Sequence, residues 1–303
     1  MKNSPSVEIL KKSKSIIFVR ILACILTRGL YLLLPLIFGV SINMLANSDY
    51  FSTILLVIIG LIVALLAKAS LVFMTYMWNR LYERLLIEYT KLTSEKLSKN
   101  IEKKNHGKVL NILNNDIDVM AEFFPSLIRR IIRTLEIVVI FIYFFTIGYY
   151  FGFASISAAA FCLAIINIFN NKISTVNKEM LTSWDKRTGF ISKMLSSNNN
   201  TTINDGLITT SKDYTKRFRI KEITEETLRS SVLAIVELFR WGMIAMAIYL
   251  YTKGNVEIGI LVIIYSYFSL LISSFEEFSS ISISFEQFKV SEKRFNIFLK
   301  NNH

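Results

Sequence analysis

Six stretches of the chain are apolar over the length a helix needs to cross a bilayer core of about 30 Å, roughly 20 residues at 1.5 Å each. They lie near 16–45, 51–77, 123–147, 150–169, 232–251 and 258–275. The third and fourth abut at Thr146-Ile147-Gly148-Tyr149-Tyr150, where a glycine between apolar and tyrosine-rich flanks predicts a tight interfacial turn. The first run follows Lys2, Lys11, Lys12 and Lys14, as a signal peptide would, but is too long for a cleaved apolar core.

The polar stretches between these runs are also patterned. In 79–104, Leu81, Leu85, Leu86, Tyr89, Leu92 and Leu97 recur at helical spacing among charged residues. After the fourth run, Ile173, Val176, Met180, Leu181, Trp184, Ile191 and Leu195 do the same. Both segments predict amphipathic helices continuing out of the membrane. Polar breaks follow at Asn105-His106-Gly107 and at 196–200, and helical pattern then resumes, which predicts two projecting helical hairpins at about 79–122 and 170–231.

Composition supports an all-α membrane protein. Hydrophobic residues make up 52% of 303 positions, above the roughly 45–50% of soluble domains. With only 11 Gly and 3 Pro, little interrupts a helix. The net charge of +12 is distributed by topology: 79–133 holds eleven Lys and Arg and 172–229 holds eleven more, whereas 46–50, 148–149 and 252–257 together contain only Lys253. Positive residues stay on the cytoplasmic side, so both hairpins and both termini are expected there, in a multi-pass protein of the plasma membrane. Residues 1–15 read as a cytoplasmic or interfacial segment, and 16–303 as one six-helix domain. This topology accounts for the basic stretches without a nucleic-acid partner.

Several short stretches resemble the transmembrane domain of ATP-binding-cassette exporters, the type with six long helices and two intracellular loops ending in coupling helices. They are Leu34-Pro35-Leu36-Ile37-Phe38-Gly39 with Ile42-Asn43-Met44-Leu45; Gly107 with Leu110 and Asn115-Asp116; Val256-Glu257-Ile258-Gly259-Ile260; and Ser291-Glu292-Lys293-Arg294-Phe295 with Phe298-Leu299. Their order and spacing carry the resemblance over about residues 10–300. It implies a permease subunit of an ATP-driven exporter, working beside a second transmembrane subunit as a homo- or heterodimer. A phosphate-binding loop needs Gly-x-x-x-x-Gly-Lys-Ser/Thr, and the only Gly-Lys pair, Gly107-Lys108, has Glu102 and Val109 at the other two positions. The resemblance therefore implies that ATP and Mg bind a separate ATPase subunit, with no cofactor on this chain. It also places coupling helices at the hairpin tips, 103–113 and 195–207, with Gly107, Val109, Leu110, Ile112, Asn200 and Ile203 as the contacts to that subunit. Val109, Leu110, Ile112 and Ile203 are expected to be exposed, since no intrachain core for them is evident from sequence.

Catalysis on this chain is not expected: with His106 and His303 the only histidines, and Cys24 and Cys162 both inside apolar runs, the usual triads and metal sets cannot form. Charges within the spans carry more information, because each costs at least about 2.5–3.5 kcal/mol at mid-membrane and faces protein or a watery cavity. Arg28, Lys68, Glu136, Glu237, Arg240, Glu276 and Glu277 are the candidates to line a pathway. Glu237 with Arg240, and Arg133 with Glu136, have the i,i+3 spacing of local pairs. Arg28 and Lys68 have no such neighbour, and Glu276 or Glu277 is the expected counter-charge across helices. Pro35 falls inside the first span, as either a hinge or a static kink. Two other classes stay open on these residues, a secondary transporter and a non-transporting membrane anchor or regulator. A further reading is one half of a fused transporter.

Overall fold

The structure, a computed structural model, describes residues 5–97, 112–196 and 201–300. Among these residues every regular element is helical. The short α1 (Pro5–Lys12) leads into α2 (Lys14–Ala46) and α3 (Tyr50–Leu97). A single π-helical turn (Ile112–Asp116) then opens α4 (Ile117–Ile147), followed by α5 (Tyr149–Ser196), α6 (Thr201–Thr252) and α7 (Gly259–Lys300). The scarcity of Gly and Pro explains the lengths. The apolar run 51–77 and the amphipathic pattern after it form one helix, α3, of 48 residues or about 72 Å. That is more than twice a bilayer core, so α3, and likewise α5 and α6, must project beyond it.

Four helical stretches are long and apolar enough to cross a membrane: Lys14–Ala46, Tyr50–Glu95, Tyr149–Ile191 and Asp205–Thr252. Gly259–Phe275, in α7, is a shorter apolar stretch. The first two thirds of α4 depart from the pattern because they hold Arg129, Arg130, Arg133 and Glu136. Hydroxyl groups inside these helices bond back to their own turns, as Thr27 does to the Ala23 carbonyl at 2.7 Å and Ser41 to the Ile37 carbonyl at 2.7 Å. No polar hydrogen of these side chains is then left facing hydrocarbon.

The helices pack chiefly as α2 along α3, α5 along α6, and α4 along α7, with α7 also touching α2 and α6. α3 lies at the periphery: Ile54, Leu55, Val57, Leu61, Ile62 and Leu65 are exposed, as residues facing lipid tails would be. Phe144, Phe151, Val236, Met243, Ile264 and Phe268 form one core among α4 to α7. A second core joins Leu81, Leu85, Tyr89, Ile117, Met120, Phe123, Phe288 and Phe295 with Ile9, which puts α1 and the later part of α7 at the same end of the bundle. The Phe123 and Phe288 rings stack there at 4.3 Å between centroids.

The tightest helix contact is that of α2 with α7. A Cβ on Gly259 would stand 2.0 Å from the Gly39 carbonyl oxygen, and one on Gly39 would stand 2.4 Å from Ile263, so glycine at both positions permits the crossing. Asn43 locks it, accepting the Gly259 N–H at 2.6 Å and donating to the Glu257 carboxylate. Its side chain thereby satisfies one of the orphan N–H groups that open α7. The stretches 34–45 and 256–260, which carry the sequence resemblance separately, thus meet as one junction. The tight turn expected at Gly148 is present, with its N–H bonded to the Phe144 carbonyl at 3.2 Å.

Candidate functional site

The interior of the bundle holds a cluster of charges from α2, α4 and α7. Glu136 is its centre, with a side chain 0% exposed. Its Oε2 lies 3.9 Å from Arg28 of α2 and 4.0 Å from Arg133 one turn earlier in α4, and accepts the Ser274 hydroxyl of α7 at 3.3 Å. Arg133 also donates to the Ser273 hydroxyl. One carboxylate is thus shared by two buried guanidinia, and its Oε1 has no hydrogen-bond partner among the described residues. Arg129 pairs with Glu277 at 3.2 Å, tying α4 to the later part of α7. Arg20, only 1% exposed, donates to the Met74 carbonyl and so fastens α2 to α3.

Beside this cluster, Arg28 and Lys68 both approach the ring of Tyr31, at 6.0 Å and 5.6 Å from its centroid, within cation–π range. Tyr31 opens a groove of about 290 Å³ between α2 and α7. Leu34, Pro35 and Phe38 continue its α2 wall, and Tyr265, Ser269 and Leu270 belong to its α7 wall. Pro35 is buried inside an α2 that runs on past it. At the α7 wall, Arg240 of α6 stacks 4.5 Å over the Tyr265 ring and pairs with Glu237.

The residues singled out by sequence fall out as follows. The local pairs Arg133–Glu136 and Glu237–Arg240 both form. Arg28 meets Glu136 of α4, a partner the sequence did not offer, and Glu277, the expected counter-charge, also acts on it electrostatically while pairing with Arg129. Register sets these pairings, since Arg28 on α2 sits level with Glu136, about two turns of α4 beyond Arg129, where Glu277 meets it. Lys68 has Tyr31 as its neighbour and no carboxylate within ion-pair distance among the described residues. The side chain of Glu276 lies outside the described residues.

Of the expected coupling contacts, Gly107, Val109, Leu110 and Asn200 lie outside the described residues, as does the side chain of Ile203. Ile112 is a correction. It is 2% exposed and packs with Leu81, Leu85, Tyr89 and Phe295, so it fills an intrachain core that its neighbours in sequence did not disclose. The same junction is pinned by polar contacts that sequence reading missed: Ser291 donates to Asp116 at 2.9 Å, Arg294 lies 3.9 Å from it, and Tyr82 donates to Asp118. Arg20 and Arg129 were also missed, although Arg20, Cys24 and Arg28 at four-residue spacing mark one face of α2.

Outside the apolar helices, Asp49 caps α3 by accepting the Ser52 N–H at 3.1 Å, and its hydrogen bonds from Ser52 hold its carboxyl below the usual carboxylate range. Among the described residues no group of three or more His, Cys, Asp and Glu side chains could hold a metal ion.

A solved structure of a bacterial Atm1-family ABC exporter with ATP bound has the same fold, with a TM-score of 0.77 over 94% of this chain at 14% identity. The chain covers 53% of that exporter chain, about half its length. No curated protein gives a significant match. Residues 17–275, which hold Glu136 with Arg28 and Arg133, the groove and the Gly39–Gly259 crossing, match the family model for the ABC transporter transmembrane region, and the chain belongs to that family.

Proposed function

We propose that these residues form the membrane-spanning permease part of an ATP-driven exporter, powered by nucleotide-binding ATPase subunits that lie outside the 303 residues. The membership of 17–275 in the family carries this reading. The interior charges support it, because α2, α4 and α7 hold ionisable groups inside a bundle with a lipid-facing apolar exterior, and such groups mark polar pathways through membranes. In this reading the protein spans the plasma membrane six times with both termini in the cytoplasm. It pairs with a second transmembrane subunit, and Arg28, Lys68, Glu136 and Glu277 face the path of the substrate. ATP binding and hydrolysis on the partner rock the helices between inward-open and outward-open states.

The drive enters at the hairpin tips, 103–113 and 195–207, with Gly107, Val109, Leu110, Asn200 and Ile203 as the contacts. Leu110→Asp and Ile203→Asp should leave membrane insertion intact, reduce co-purification of the ATPase subunit and uncouple ATP hydrolysis from transport. Ile112→Asp should instead destabilise the chain itself, because it places a charge in a packed core. Full partner binding and transport by both tip variants would contradict the coupling assignment.

A further inference from the structure

We propose that the groove between α2 and α7 binds an organic anion with an apolar body, its negative group held by Lys68 and Arg28 beside Tyr31 and its chain laid along Leu34, Phe38 and Leu270. The proposal deepens the exporter reading by giving its pathway a ligand class, and it rests on that reading only for the ligand being transported.

Charge complementarity carries it. Beside the Tyr31 end of the groove the described side chains supply three cations, Arg28, Lys68 and Arg133, against Glu136 and the nearby Glu277, an excess of one positive charge. Arg20, Arg28, Arg129 and Arg133 lie close enough to interact with one another electrostatically. An excess of this kind within an apolar bundle is costly unless an anion joins it. Arg28 shares Glu136 with Arg133, and Lys68 has no carboxylate within ion-pair distance among the described residues, so both gain from an added anion. Both converge on one ring, Tyr31, and that ring lines the groove.

The rest of the groove selects for an apolar body. Tyr31, Leu34 and Phe38 recur at three- and four-residue spacing and present one face of α2, opposite Tyr265, Ser269 and Leu270 on one face of α7. The volume of about 290 Å³ suits a chain of about ten carbons, at roughly 30 Å³ for a water-sized group. At the α7 wall Arg240 is already neutralised by Glu237 and covered by Tyr265, so the attraction for an anion is concentrated at the Tyr31 end. A head-and-tail ligand therefore has one orientation.

The test uses the full chain in phosphatidylcholine nanodiscs and a dodecyl phosphate carrying a photoreactive diazirine, with labelled peptides mapped after irradiation. Labels are expected at 31–38 and 265–270. Dodecyl phosphate and dodecyl sulfate should compete, and dodecyltrimethylammonium should not. Lys68→Gln should weaken labelling about tenfold, the loss of one charge-assisted contact, while Lys68→Arg retains it. Ser269→Phe, at an exposed groove position, should abolish it by filling the site. Replacing part of the lipid by phosphatidylglycerol separates two sources of the same chemistry: competition identifies a lipid headgroup as occupant, and none identifies a separate amphiphile. Equal competition by the cation, or unchanged labelling in Ser269→Phe, would overturn the proposal. Because the assay needs neither ATP nor a partner, absent labelling with intact ATP-driven transport removes this site and leaves the exporter reading standing.

Discussion

Replacing Glu136 by Leu should be the most damaging single change within the charge cluster. The carboxylate is fully buried and sits within 4.0 Å of both Arg28 and Arg133, so its removal leaves two guanidinia facing each other without the carboxylate they share. Breaking a buried ion pair from one side costs about 3–5 kcal/mol. At roughly 2–4 °C per kcal/mol for larger domains, the thermal midpoint should fall by about 6–20 °C. Arg28→Met should cost less, because Glu136 keeps Arg133 and the Ser274 hydroxyl. The double variant should be more stable than Glu136→Leu alone, with a coupling of at least about 1 kcal/mol. The assay is loss of monodisperse protein on heating in neutral detergent, read by fluorescence-detected size exclusion for the wild type, both single variants and the double. If Glu136→Leu were no worse than Arg28→Met, or the two effects simply added, Glu136 would not be the shared counter-charge.

Two further outcomes are expected. Gly259→Ala brings a methyl group to 2.0 Å from the Gly39 carbonyl and should cost about 1–3 kcal/mol by forcing α2 and α7 apart, whereas Gly242→Ala, whose Cβ meets nothing within 4 Å, should be neutral or slightly stabilising. Equal midpoints for the two alanine variants would refute the close crossing. Tags at 46–50 or 252–257 should be labelled from outside intact cells and tags at 103–107 or 198–204 should not, and external labelling at 198–204 would refute the six-span topology.

Sequence reading recovered what depends on periodicity and composition. The apolar runs, their amphipathic continuations and the Gly148 turn are local properties, and α2, α3, α5 and α6 begin or end within about two residues of the expected places where Gly, Ser or Asn intervenes. It did not recover what depends on how helices register against each other. Arg28 found Glu136 as well as Glu277 because the level at which α2 crosses α4 is set by packing, which no single helix encodes. Ile112 was expected to be exposed because no intrachain core for it is evident from sequence, yet its core is supplied by α3 and α7, residues up to 183 positions away. Arg129 was counted with the loop charge although it lies inside the apolar run 123–147, and α4, which reaches back to Ile117, holds both Arg129 and Arg133 within one helix. The stretches 34–45 and 256–260 stood out for their composition, and only the fold gives the reason, which is a backbone contact between Gly39 and Gly259 capped by Asn43.

The central claim, a permease driven by an ATPase lying outside these residues, is tested most directly by photolabelling with azido-ATP. The protein is purified gently from its native membrane with whatever remains bound, irradiated with the nucleotide and magnesium, and the labelled peptides are mapped while ATP hydrolysis is followed in parallel. The account predicts vanadate-sensitive hydrolysis by the intact assembly and labelled peptides carrying a phosphate-binding loop, none of them from residues 1–303. Specific labelling within 1–303, or ATP turnover by these residues purified alone, would contradict it.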